Sequence, residues 1–130
     1  MAHFIVEYSA NLTPQELRLD ALFAALHAAA VATGIFPLAG IRSRALRCMD
    51  FRVADGNPDN AFVHVTMKVG AGRSGAELQH AADAINTTLN AHLDALFATR
   101  GLALSLELVE LHAQLRFNRN NLRERMETQA

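Results

Sequence analysis

Two stretches of the chain repeat one plan of apolar and polar positions. The first opens with His3-Phe4-Ile5-Val6-Glu7-Tyr8, where Phe4, Val6 and Tyr8 alternate with His3, Ile5 and Glu7 at the period of a strand. Thr13-Pro14-Gln15-Glu16 follows and predicts a capping box, with Thr13 accepting from a free helical N–H and Glu16 reaching back. A helix is expected from about Pro14 to Thr33, with Leu19, Leu22, Phe23, Leu26 and Ala30 on one face and Gly34 as its stop. Ile41 to Val53 then reads as extended, although its arginines make the alternation irregular. The second unit starts at Phe62, with Val63, Val65, Met67 and Val69 on one face. It turns at Gly70-Ala71-Gly72-Arg73, and Ser74-Gly75-Ala76-Glu77 repeats the capping logic. Leu78, Ala82, Ile85, Leu89, Leu93, Leu96 and Phe97 trace a helical stripe, which Arg100-Gly101 is expected to end in a left-handed cap. Leu102, Leu104, Leu106 and Leu108 mark a last strand.

Strand, helix, strand, twice over, predicts an α+β fold of duplicated β-α-β units. A right-handed crossover makes the strands of each unit parallel, which gives a four-stranded sheet with two helices on one face. The other face carries mixed side chains and is expected to be covered by other subunits. Residues 1–130 are read as a single domain, with repeats at about 3–55 and 61–110. Residues 111–130 form a C-terminal arm, with Leu115, Phe117 and Leu122 as anchors.

Composition narrows the class. The chain is 51% hydrophobic and carries a net charge of −1, which argues against disorder and, without aromatic stacking platforms, against nucleic acid as a partner. Cys48 is the only cysteine, so there is no internal disulfide. No apolar run reaches the roughly 18 residues that span a bilayer, and no basic-then-apolar leader opens the chain. A cytoplasmic protein without a membrane partner is expected. Of its twelve basic residues, eleven are arginine and only Lys68 is lysine. Arginine is the planar, bidentate carboxylate binder.

Candidate chemistry is sparse. The six histidines include no pair at metal-ligand spacing, so no metal site is predicted, and His92 reads as a hydrogen-bonded structural residue. No serine sits in a nucleophile elbow. Gly70-x-Gly72-x-x-Gly75 matches a dinucleotide fingerprint only superficially, because no acidic ribose ligand follows on a second strand. The same turn can accept an anion, with Arg73 at the start of a helix. Arg42 and Arg44 fall on one side of an extended segment, either as a solvated edge or as forks for a carboxylate.

The whole chain also resembles a known family. His3-Phe4-Ile5-Val6-Glu7-Tyr8-Ser9, Thr33 to Arg44 (TGIFPLAGIRSR), Ala61-Phe62-Val63-His64, Gly70-Ala71-Gly72-Arg73-Ser74 and Phe117-Asn118-x-Asn120-Asn121 resemble the 5-carboxymethyl-2-hydroxymuconate Δ-isomerase family of the tautomerase superfamily. The resemblance implies a homotrimer and a cofactor-free isomerase of aromatic catabolism. Its substrate is a small dienol polycarboxylate, and a proton passes from the enol oxygen to a carbon of the conjugated chain. The family's base is an N-terminal proline amine; the matching position here is Ala2. By the same matching Arg42 and Arg73 join it as catalytic residues, with Arg44, Phe36, Phe117 and His3 as substrate-binding candidates. A primary amine at Ala2 is less rigid than proline, and slower turnover is expected. The alternatives are a catalytically impaired carboxylate-binding protein on the same scaffold, or a tautomerase for another enol.

Overall fold

Residues 1–129 are described by a computed structural model, and they fold around one sheet. Its strands are β1 (Ala2–Ser9), β2 (Ile41–Cys48), β3 (Ala61–Val69) and β4 (Leu102–Glu110), in the spatial order β2-β1-β3-β4. The β1–β2 and β3–β4 pairs are parallel and the central β1–β3 pair is antiparallel. Each parallel pair is bridged by a long helix, α2 (Leu19–Ala32) or α3 (Gly75–Thr99), as the repeated pattern requires. Phe4, Val6 and Tyr8 of β1 and Val63, Val65, Met67 and Val69 of β3 are buried against Leu22, Leu26, Ile85, Leu89 and Leu93 of these helices. The leucines of β4 pair with Ala61, Val63, Val65 and Met67 of β3 and share this helix-covered face.

Among the described residues no helix lies over the opposite face. It carries His3, Ile5 and Glu7 of β1, Arg42, Arg44 and Leu46 of β2, and Phe62, His64, Thr66 and Lys68 of β3. Paired residues across a sheet share a face, so the register places Arg42 beside His3 and Arg44 beside Ile5.

Several expected boundaries differ. The first helix is broken into α1 (Pro14–Leu17) and α2 by Arg18, whose backbone is left-handed (φ 49°, ψ 57°). The break turns Leu17 fully into the core, and Arg18 Nη2 donates to the His92 carbonyl at 2.7 Å. His92 Nε2 lies 2.8 Å from the Leu17 carbonyl, so this histidine joins the two helical layers. Ser74 and Glu77 form the reciprocal capping box, but at α1 only Thr13 accepts; the Glu16 carboxylate lies instead 3.5 Å from Arg100. Helix α3 ends on an extended Arg100 (φ −157°), without the expected left-handed glycine. Gly101 serves packing, since a methyl there would lie 2.9 Å from Asn60 Oδ1. Gly34, with φ 81°, does end α2 as expected. Strand β2 stops at Cys48, five residues early, because the following segment turns through Ala54 and Gly56, both with positive φ. Phe97, assigned to the apolar stripe, is 41% exposed.

The tail continues from β4 and is pinned to the sheet by Leu111 N–H donating to the Val69 carbonyl at 2.7 Å. Asn120 Nδ2 then donates to the Ala39 carbonyl at 2.9 Å, and α4 (Leu122–Gln129) follows, with Met126 and Arg123 beside Pro37 and Leu38. Leu115, Phe117 and Leu122 do not anchor it within the subunit; all three are exposed. Among the described residues no helix is long and apolar enough to cross a membrane.

The core makes a direct prediction. Leu89 is fully buried where α3 crosses the sheet. Leu89→Ala should lower unfolding free energy by about 2–5 kcal/mol, from lost transfer energy plus the cavity left behind. Urea denaturation at fixed protein concentration checks it, and a change under about 1 kcal/mol would contradict this packing.

Candidate active site at the amino terminus

Strand pairing decides what surrounds the start of the chain. Ala2 is opposite Ile41, the first residue of β2, and opposite Val69, the last of β3. The turn before β2 and the turn after β3 therefore converge on the amino terminus. Ala2 itself is fully buried, and its nitrogen is an amide joined to Met1. Gly70 N–H donates to the Met1 carbonyl at 3.2 Å and fixes the first residue over the end of β3.

Arg73 is held from three sides. Its Nη1 donates to the Gly70 carbonyl and its Nη2 to the Ile35 carbonyl, each at 2.9 Å. The guanidinium also lies over the Phe36 ring, 4.4 Å from its centroid, as a cation–π contact. Phe36, expected as an apolar wall for substrate, is 3% exposed and instead supports Arg73 from the core. The sequence offered no separate sign of this, because a buried aromatic after Gly34-Ile35 reads equally as packing.

Met1, Ile35, Gly70, Ala71, Gly72, Arg73, Glu77 and Arg116 line an open cavity of about 510 Å³. Arg116 is the residue that sequence reasoning missed. It lies in the tail, just before the Phe117-Asn118-x-Asn120-Asn121 block and outside it, and the pinning of residues 111 and 120 carries it over the site. The amine at Met1 is held below its ordinary value by burial first, then by the positive charges of Arg73, Arg116 and Arg42. All four effects disfavour the ammonium form. Glu77 also lines the cavity, but its Oε1 accepts from the Ser74 N–H and belongs to the helix cap.

The remaining expected residues divide. Arg42 acts electrostatically on both Met1 and His3, so it belongs to this region. His3 and Arg44 contact each other, Nδ1 to Nη1 at 3.2 Å, on the helix-free face. Burial, then Arg42, Arg44 and Lys68, lower the pKa of His3, which keeps the ring neutral and able to accept from Arg44. Phe117 is 93% exposed and does not line the cavity formed by this chain. His27, not singled out from the sequence, links α2 to β2 through Ser43 Oγ at 2.7 Å.

Comparison with known proteins identifies the family and the fold. A family model described as 5-carboxymethyl-2-hydroxymuconate isomerase matches residues 2–126. The chain is 48% identical over 122 residues to the 5-carboxymethyl-2-hydroxymuconate Delta-isomerase of Escherichia coli, covering 94% of this chain and 96% of that one. It superposes on the crystal structure of a 5-carboxymethyl-2-hydroxymuconate isomerase from Deinococcus radiodurans R1 with a TM-score of 0.88 at 37% identity, over 96% and 93% of the two chains. A fused 4-OT described as a symmetric trimer shares the fold, with a TM-score of 0.65 at 19% identity over 90% of this chain and 93% of that one.

The electrostatics predict a titration. In the chain bearing Met1, the α-amine should lose its proton below the roughly 7.7–8.0 of a free α-amine. Arg73→Gln should raise that midpoint by removing the largest cationic effect, while leaving it below the peptide value because burial persists. The pH dependence of amine acylation, read by mass spectrometry against a Met-Ala peptide, checks both shifts. Equal midpoints for protein and peptide would contradict the site.

Proposed function

Because the chain belongs to the 5-carboxymethyl-2-hydroxymuconate isomerase family, we propose that it catalyses the cofactor-free ketonisation of a dienol polycarboxylate of that kind in aromatic catabolism. The observation that carries this reading is the placing of the amino terminus among Arg73, Arg116 and Arg42. A base for an enol proton must be neutral near working pH, and a dienolate with several carboxylates must be held by cations. One arrangement meets both needs, since the same guanidinium charges that attract carboxylates weaken the amine's hold on a proton.

The working base is the α-amine of Ala2, freed by removal of Met1. The amine takes the enol O–H proton as the oxygen becomes a carbonyl. The double bonds shift along the chain, and the distal carbon receives a proton in return, so the reaction is a net isomerisation. Arg73, locked by two carbonyls and the Phe36 ring, is the fixed partner for a carboxylate or for the developing enolate. Arg42 adds charge from the helix-free face. That face, with Ile5, Leu46 and Phe62 among its residues, supports a homotrimer in which neighbouring subunits cover it and bring further lining, the exposed Phe117 included. Such a protein works in the cytoplasm as one duplicated domain.

The test is kinetic and begins with the mass of the purified N-terminus. Protein lacking Met1 should ketonise 5-carboxymethyl-2-hydroxymuconate, followed by loss of dienol absorbance, and Ala2→Pro with Met1 processed should be faster. Arg73→Ala and Arg42→Ala should each lower kcat/KM, by about 10²-fold for the fixed Arg73. If processed Ala2→Pro is also inactive, the isomerase reading fails. Binding of the polycarboxylate without turnover by both forms would leave a carboxylate-binding protein instead.

A further inference from the structure

Gly70 joins three groups at the mouth of the cavity. Its N–H donates to the Met1 carbonyl and its carbonyl accepts from Arg73 Nη1. The place its side chain would take is filled by Arg116: a methyl at residue 70 would lie 2.7 Å from Arg116 Nη1 and 3.4 Å from Cζ and Nη2. The missing side chain therefore seats a second guanidinium beside the first. The two differ in commitment. Arg73 spends Nη1 and Nη2 on protein carbonyls and one face on Phe36. Arg116 is exposed, and among the described residues it has no carboxylate within 4.0 Å; the ion pairs there are Arg100–Glu16 and Arg123–Glu127. Glu77, the acid of the cavity wall, is engaged with the Ser74 amide. The segment that carries Arg116 is tied at Leu111 and again at Asn120, and its turn is held by Gln114 and Leu115 N–H groups donating to His112 Nδ1 at 3.0 and 2.7 Å.

A planar guanidinium with its fork unspent, facing an amine and a second guanidinium, is a receptor for a carboxylate. We infer that Arg116 is the specificity-determining residue of this site: seated on Gly70, it takes a second carboxylate of the substrate and selects polycarboxylate enols over monocarboxylate ones. The inference rests on the proposed ketonisation but assigns a residue and a discrimination which that reading does not contain. Arg73 and the amine serve any enol acid, whereas Arg116 rewards only one with another anionic group.

The experiment compares 5-carboxymethyl-2-hydroxymuconate, a tricarboxylate, with phenylenolpyruvate, a monocarboxylate, in wild type, Arg116→Ala, Arg116→Lys, Gly70→Ala and the double variant Gly70→Ala with Arg116→Ala. Arg116→Ala should lower kcat/KM for the tricarboxylate roughly ten- to a hundredfold more than for the monocarboxylate, mainly through KM. Arg116→Lys should recover part of that ratio by restoring the charge without the fork. Gly70→Ala should lower the same ratio in wild type by displacing the guanidinium, and should not lower it further once Arg116 is alanine. Equal losses on the two substrates, or an unchanged ratio, would overturn the inference while the isomerase reading stands. Calorimetry with unreactive tricarballylate gives a readout independent of turnover. A tenfold or greater loss of affinity in Arg116→Ala supports the receptor even if neither wild type nor processed Ala2→Pro turns over either substrate, the outcome that removes the isomerase reading alone; undiminished affinity overturns the receptor.

Discussion

The register between β1 and β3 is the constraint on which the site depends. Pairing Ala2 with Val69, and Ala2 again with Ile41, brings the first residue of the sheet, the exit of β3 and the entry of β2 to one point. A one-residue slip would turn Phe4, Val6 and Tyr8 away from α2 and α3, so core burial enforces this alignment. The hydrophobic core thereby fixes, at no further cost, where the amino terminus meets the Gly70–Arg73 turn. Electrostatics follow from that placing. Among the described residues Arg73, Arg116 and Arg42 form no ion pair, Glu77 being engaged with the Ser74 amide, and the nearby amine responds by giving up its proton more readily.

Support for Arg73 shows how a surface charge becomes a fixed one. Two carbonyls from separate turns, at Ile35 and Gly70, fix the plane of the guanidinium, and Phe36 closes its back face. Each contact is ordinary alone. Together they leave few rotamers, so the ordering entropy is met on folding and not on binding. Arg44 has no such support; its contact is with His3 on the helix-free face.

Much of the fold was legible because it depends on period and caps. The alternation at Phe4–Tyr8 and Val63–Val69 survives as buried faces, that at Leu102–Leu108 as a half-buried one, and the Ser74–Glu77 box forms as written. What could not be read depends on contacts distant in sequence. Arg18 breaks its helix to reach His92, and Glu16 leaves its own cap for Arg100; both partners lie more than 70 residues away. The site divided in the same way. Arg42 and Arg73 stood in matching motifs, whereas Phe36, which read equally as a wall or as packing, lies under the Arg73 guanidinium, and Arg116 stood one residue outside its motif, its place coming from a tether at each end of an exposed segment.

The hydrogen bond from Gly70 to Met1 gives processing a second effect. That N–H belongs to a buried residue, and its acceptor is the carbonyl of Met1, the residue whose removal the proposed mechanism requires. Cutting the Met1–Ala2 peptide bond takes the acceptor away together with the cap on the Ala2 nitrogen. A buried donor left without a partner carries a desolvation penalty until some other oxygen meets it. Loss of one residue thus leaves a basic nitrogen on one strand and an unpaired N–H at the end of its neighbour. A proton acceptor and a hydrogen-bond donor are created side by side in a single cleavage.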